Sequence, residues 1–333
     1  MAAWLPLRWV AGVPLVVFAL VFGGTLVWLS LGDDEERSPT HRSAAADRLS
    51  ANPDELPAAM GDERIAIALL AANERESSVW VVSLDGSHPV QLTRSPVGGK
   101  TVNDSFTAWS PDGNTIVFVR SLVDAAGKPG LPHLFAMAPD GSRVRQLTRG
   151  STPDLLPSWS PQSSHLAFAR VVGEATDLFG IRPDGTGLRR LTNEPLVHED
   201  MAAFSPDGER IAYTRAAPEN EDLWLMEADG SGRRELLGGE HEDGSPAWSP
   251  DGARIAFVRD GHVAVMDADG RDVGVLTSGE LKDSHPQWSP NGERILFTRD
   301  PGEVLVMNAD GSGLARVPVD GVAGGASWGP ADS

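Results

Sequence analysis

Beyond residue 60 the chain alternates short apolar runs with tight polar turns, and the alternation follows one order throughout. A first segment ends in an aromatic residue and a turn, most completely at Trp109-Ser110-Pro111-Asp112-Gly113. Proline fixes φ there and glycine accepts a positive φ, so the chain reverses within a few residues. A second segment follows, as in Ile116-Val117-Phe118-Val119-Arg120 or Ile255-Ala256-Phe257-Val258-Arg259. A third, such as Leu223-Trp224-Leu225-Met226, runs into an Asp-Gly pair, the turn signal of a tight hairpin. A short fourth closes the cycle, as in Gln146-Leu147-Thr148 or Arg190-Leu191-Thr192. Alternation of apolar with small or polar positions makes these segments strands whose sheets pack face to face.

The cycle returns at Trp159-Ser160-Pro161, Phe204-Ser205-Pro206, Trp248-Ser249-Pro250, Trp288-Ser289-Pro290 and Trp328-Gly329-Pro330, with aromatics 50, 45, 44, 40 and 40 residues apart. That period belongs to four-stranded propeller blades. Its two ends are complementary. Arg64-Ile65-Ala66-Ile67-Ala68-Leu69 has the character of a second strand with no first strand ahead of it, while Ser327-Trp328-Gly329-Pro330 is a first strand with nothing after it. The sequence therefore predicts an all-β fold over residues 61–333. It is a six-bladed β-propeller of four-stranded antiparallel blades, closed by pairing of its N- and C-terminal strands so that no sheet edge is left open.

The pattern ahead of the repeat is different. Residues 9–31 contain no ionisable side chain and would span roughly 34 Å as a helix, enough to cross a bilayer. Trp4, Trp9 and Trp28 lie near the two ends, where indoles favour the headgroup zone. We read a short tail (1–8), a single transmembrane signal-anchor helix (9–31) and a flexible polar linker (32–60). A cleaved signal peptide is the rival, with Ser30 and Gly32 as small residues before Asp33 but no A-x-A site beside them. Flanking charge does not orient the span, because Arg8 lies on one side and Arg37, Arg42 and Arg48 on the other.

Composition narrows the function classes. The chain has no cysteine, which excludes disulfide scaffolds, thiol enzymes and cysteine-ligated metal sites. With 28 Lys and Arg against 47 Asp and Glu it carries a net charge of -19, so no nucleic-acid partner is expected. No H-E-x-x-H helix occurs, and the G-x-S-x-G match Gly325-Ala326-Ser327-Trp328-Gly329 falls on a first strand of the repeat.

The Trp-Ser-Pro-Asp-Gly line, the Ala-Asp-Gly turn and the Leu-Thr ending resemble the WD-like propeller repeats of the TolB family, over residues about 62 to 330. The resemblance implies an extracytoplasmic interaction scaffold and favours a propeller on the outer side of the cell membrane. The family's additional α/β domain ahead of the propeller has no counterpart here, where the anchor and linker stand instead.

Counted from the inner aromatic, position -5 is Asp104, Asp154, Glu199, Asp243 and Asp283, and position +11 is Arg120, Arg170, Arg215, Arg259 and Arg299. The two positions are equidistant from the turn between the first two strands, so each acid should face its arginine. In the unit split between the termini both charges are absent together, replaced by Ala323 and Leu69. Two readings follow. In the first the pairs are structural, charge-assisted hydrogen bonds that fix the inner hairpin. In the second the acids form an incomplete ring at the channel mouth which, with His198, His241 and His285, binds a cation or a partner's basic side chains.

The segments joining second to third strands, and those joining blades, fall on one face and vary in length, from 121–133 down to Asp260-Gly261-His262. Variable loops on a rigid scaffold are where recognition resides. The expectation is a monomeric, membrane-anchored, non-enzymatic propeller with no resident cofactor that binds a protein or envelope polymer through this loop face. The alternative is a metal-dependent lyase or hydrolase using the triplets His198-Glu199-Asp200 and His241-Glu242-Asp243.

Overall fold

A computed structural model describes residues 63–70, 76–218, 220–319 and 321–330, with the residue pairs 21–22 and 25–26. Val21–Phe22 and Thr25–Leu26 form a two-residue antiparallel pair. The rest of the expected span 9–31, the tail 1–8 and the linker 32–60 lie outside the described residues. Among the described residues no helix is long and apolar enough to cross a membrane.

The repeat folds entirely as β-structure. Four separate four-stranded antiparallel sheets carry the inner aromatics Trp159, Phe204, Trp248 and Trp288, each with strands in sequence order. The remaining strands form one eight-stranded sheet, where six separate blades were expected. It contains two antiparallel runs, one of Val322–Trp328, Arg64–Leu70, Ser77–Ser83 and Val90–Gln91, the other built on Thr101–Trp109. The physical cause of the fusion is local: a parallel pairing of Ser77 with Asn103, beside a bond from Ser77 Oγ to the Asp104 carbonyl at 2.7 Å.

The first turn of the repeat, where it reads Ser-Pro-Asp-Gly or Ser-Pro-Asn-Gly, is tied by its own side chains. Ser110 Oγ donates to Asp112 Oδ1 at 2.6 Å and accepts from the Thr115 amide at 2.9 Å, while Gly113 holds φ +74° and its N–H returns to the Ser110 carbonyl. Serine, aspartate and glycine are therefore each required by the geometry. Ser249 with Asp251 and Ser289 with Asn291 repeat the arrangement.

Packing runs between sheets. Six buried clusters each join one repeat to the next: the one holding Trp159 and Leu147, for example, or the one holding Tyr213 and Leu178. The last joins Val304, Val306 and Val317 to Ile65, Ile67 and Trp328, so the end of the array is packed against its beginning. Tryptophan at the inner position adds a directional contact. Trp159, Trp288 and Trp328 donate their indole N–H to the carbonyls of Ala108, Ala247 and Gln287 on the preceding inner strand.

Each inner strand also contains a feature with no sequence signature. The ladder breaks by one residue between positions -4 and -1, as between Ser105 and Ala108 or Ser284 and Gln287, and in the closing strand between Ala323 and Ala326 at -5 and -2. The residue at -3 has positive φ in every case: Phe106, Leu156, Met201, Ser245, His285 and Gly325. Bulges bend and twist a strand, which is what crowding several inner strands at one end requires. The left-handed conformation costs roughly 1–2 kcal/mol at each residue other than glycine.

Trp328 holds the closing strand by packing and by its indole bond, and its side chain is buried. Trp328→Ala is expected to destabilise the protein by about 3–5 kcal/mol in urea denaturation, in one transition for the whole propeller.

Candidate functional site

The charged positions inherit their geometry from the register. Asp104 pairs with Arg120, Asp154 with Arg170, Glu199 with Arg215, Asp243 with Arg259 and Asp283 with Arg299, as direct cross-strand partners. Ala323 pairs with Leu69 in the repeat that lacks both charges. In four repeats the guanidinium grips the carboxylate with two bonds, at 2.7 and 2.7 Å for Arg120, 2.6 and 3.1 Å for Arg170, 2.8 and 2.7 Å for Arg259, and 2.6 and 3.0 Å for Arg299. Each of these arginines also lies over the phenylalanine two residues before it, with Arg120 Cζ 4.9 Å from the Phe118 ring and Arg299 5.6 Å from Phe297.

All five acids are fully buried, so they face a neighbouring sheet rather than forming an open ring around a channel. The neighbour supplies a third contact that the sequence left unread. The threonine of the Leu-Thr ending accepts the amide of its own third strand, as Thr148 does from Leu134 and Thr277 from Val263. Thr277 then donates its hydroxyl to Asp283 of the following blade. Asp154 gains a further partner in His133, 3.1 Å away. Burial works to raise the Asp154 pKa, but the bonds from His133 and Arg170 outweigh it and hold the carboxyl below its ordinary range.

Glu199 breaks the pattern. Its cross-strand partner Arg215 turns instead to Glu194 in the preceding loop, with bonds of 3.2 and 2.6 Å. Both carboxylate oxygens of Glu199 are buried without a hydrogen-bond partner, and the nearest cation, Arg233, stands 3.9 Å away. Burial raises the Glu199 pKa, against the weaker opposing pull of the nearby Thr192 hydroxyl and of Arg233. On the same side of this sheet, Tyr213 occupies the place of Phe118, Phe168, Phe257 and Phe297, and its buried hydroxyl also lacks a partner. Two substitutions mark this repeat in the sequence: glutamate for aspartate at -5, and the only tyrosine in the chain.

The opposite side of the Phe204 sheet is acidic as well. Glu221 presses against Gly244, leaving no space for a Cβ there, and lies close to Asp200, Asp222, Glu242 and Asp243. Burial, then these neighbouring charges, push the Glu221 pKa up to about 7, and burial raises Asp200 strongly.

The histidines do not converge. His198 is half-buried near Thr176, and burial lowers its pKa. His241 is exposed and bonded to Asp260 at 2.6 Å. His285 packs against Phe106 with ring centroids 5.6 Å apart, and burial lowers its pKa to about 4. Among the described residues no three His, Asp or Glu side chains are grouped to hold a metal ion.

A double-mutant cycle on Asp243→Asn and Arg259→Met should give a coupling of about 0.5–3 kcal/mol, while Glu199→Gln and Arg215→Met should be nearly additive. Chemical denaturation of the single and double variants measures both. A second expectation concerns pH. The folded state holds the Glu221 proton more tightly than the unfolded chain does, so this group's contribution to stability falls as pH rises from 4.5 to about 7. Glu221→Gln should therefore gain about 1–3 kcal/mol relative to the parent at pH 8 and little at pH 4, read from urea midpoints.

Comparison with known proteins places this geometry in a family. The sequence matches the family described as TolB beta propeller domain over residues 57–249 and 155–332. Among curated relatives, dipeptidyl-peptidase 5 of Porphyromonas endodontalis is 27% identical over 146 residues, 40% of this chain and 20% of that protein. The Tol-Pal system protein TolB of Anaeromyxobacter dehalogenans is 32% identical over 90 residues, 27% of this chain and 19% of that protein. The chain thus matches about a fifth of the length of either relative. The crystal structure of TolB from Acinetobacter baumannii aligns with a TM-score of 0.68 and 21% identity, covering 81% of this chain and 67% of that one, which shows a shared fold. The repeat, the four-stranded antiparallel blades and the family match together establish that this chain belongs to the TolB beta propeller domain family.

Proposed function

We propose that this protein is a non-enzymatic binding scaffold, a closed six-bladed propeller anchored in the cell membrane by residues 9–31 and facing away from the cytoplasm. It binds a protein or an envelope polymer through its loop face. The six-bladed reading treats the eight-stranded sheet as two blades joined at Ser77 and Asn103, and is supported by the six clusters that link successive repeats end to end. The apolar run at 9–31 supports the anchor.

One observation carries the functional reading: most of the groups that would do chemistry are already engaged by partners within the fold. Four of the five inner acids are gripped by their own arginines, and His133 and His241 are bonded to aspartates. The metal-dependent enzyme reading relies on His198 and His241, whose surroundings supply no set of converging ligands among the described residues. The loop face instead displays Leu196, 67% exposed, and Leu281, 42% exposed, on the connections between blades. Variable loops on a rigid scaffold are where recognition resides. A basic patch on the partner would complement the chain's excess of carboxylates.

Immobilised full-length chain should retain an envelope protein or polymer from solubilised membranes. Retention should fall at least about tenfold, the factor that 1.4 kcal/mol represents, in Leu196→Asp with Leu281→Asp. It should persist in Val144→Asp with Leu314→Asp beside the Asp-Gly turns. Equal loss in both pairs, or loss only in the second, would exclude the loop face.

A further inference from the structure

We propose that the boundary between the Trp159 and Phe204 blades holds a receptor for an arginine side chain of a partner protein, formed by Glu199 and Tyr213. The inference rests on the scaffold reading above and specifies one contact of it. Its basis is comparison within the molecule. Four repeats show what this position is built to hold: a guanidinium bonded twice to the -5 acid and stacked over the ring at +9. The Phe204 repeat keeps the acid and the ring but not the cation. Arg215 lies over Trp224, with Cζ 4.8 Å from that ring, and bonds Glu194.

What Arg215 leaves behind is a set of buried polar atoms without hydrogen-bond partners: both Glu199 oxygens, the Tyr213 hydroxyl and Asp177 Oδ1 on the facing blade. Asp177 uses its other oxygen for Arg190. Arg233 contributes charge from 3.9 Å, too far for a hydrogen bond. A buried carboxylate without bonded donors is costly, and a planar guanidinium with its fork of N–H groups satisfies two carboxylate oxygens at once. The extra methylene of glutamate and the hydroxyl of tyrosine, found at these positions in this repeat alone, add reach and one more bonding atom.

Access lies through the loop at 193–197. Glu194 clamps that loop to Arg215, Leu196 within it is exposed at φ +64°, and Glu199 lies beneath with no exposed surface. An incoming arginine reaches Glu199 when the loop lifts, and its in-chain competitor is Arg215 itself.

Tyr213 is the only tyrosine in the chain, so its ring resonance in a tyrosine-labelled protein reports this site alone. Titrating full-length chain with N-acetylarginine amide should shift that resonance saturably, and the neutral isostere N-acetylcitrulline amide should not. Glu199→Gln should weaken the probe by about tenfold or more, the equivalent of 1.4 kcal/mol. Glu194→Gln frees Arg215 to return to Glu199, so it should move the Tyr213 signal without probe and weaken probe binding. Arg215→Met removes the competitor and should tighten it, which keeps the idea testable if Glu199→Gln fails to fold. No saturable shift, an equal response to citrulline, or weaker binding in Arg215→Met would overturn the receptor. The two readings separate cleanly: with the receptor overturned, macromolecular retention lost through Leu196 and Leu281 would still support the scaffold, and a saturable arginine response without any retention would support the receptor alone.

Discussion

A carboxylate removed from water is costly unless it is paired, and this fold depends on how it pairs four of its five inner acids with bonded arginines. Every -5 acid is fully buried at a boundary between sheets, where an unpaired charge would cost several kcal/mol. The strand register brings an arginine opposite each one, and at Asp283 the preceding blade adds its threonine. That threonine also caps the amide of its own third strand, so one hydroxyl ties an outer strand to the inner hairpin of the next blade. The same network therefore fixes the hairpin, the outer strand and the spacing between blades. Hydrophobic packing supplies the mass of the contact, but it is tolerant of sliding, whereas a bidentate pair with a third fixed donor is not.

This explains which parts of the structure were legible in the sequence. The facing of acid and arginine followed from counting residues either side of a turn whose own chemistry, Ser110 with Asp112 and Gly113, fixes where the chain reverses. The pairing of Ala323 with Leu69 followed from the same count, and it marks closure between the two ends of the repeat array. The bulge was not legible because Phe106, Leu156, Met201, Ser245, His285 and Gly325 share no side-chain property. Their common φ is imposed by the crowding of inner strands, a tertiary demand with no local code. Register likewise determines which side chains are neighbours, not which neighbour wins. Arg215 sits opposite Glu199 and bonds Glu194, because a loop acid that is partly exposed costs less to ionise than one that is fully buried. The burial of the acids was also hidden, since a polar residue near the end of a strand reads equally well as a rim position.

The departures from the repeat are concentrated rather than scattered. Glu199, Tyr213, Asp200 and Glu221 all belong to the Phe204 sheet, and burial raises the pKa of each. The two neighbouring sheets present their Asp154 and Asp243 already neutralised by arginine, as the Trp288 sheet does its Asp283. A protein that spreads its charge evenly over repeats but leaves one of them uncompensated has kept a local electrostatic demand within a stiff frame. Energetic frustration confined to one repeat is tolerable because each blade touches only its neighbours, so the cost is not passed around the ring.

The bulges bear on where such a frame can bind anything. Phe106 and His285 meet across Gly325, whose missing Cβ would otherwise lie 3.3 Å from the Phe106 Cα. Phe106 and Met201 also pack against the cluster that contains Leu156. Side chains at -3 from non-adjacent repeats therefore reach one another over the inner strands, and the space between those strands is narrowed by rings and aliphatic groups rather than lined by carboxylates. The -5 acids of the same strands are fully buried. Within this frame the one boundary whose acid lacks a bonded cation lies under a loop with an exposed leucine.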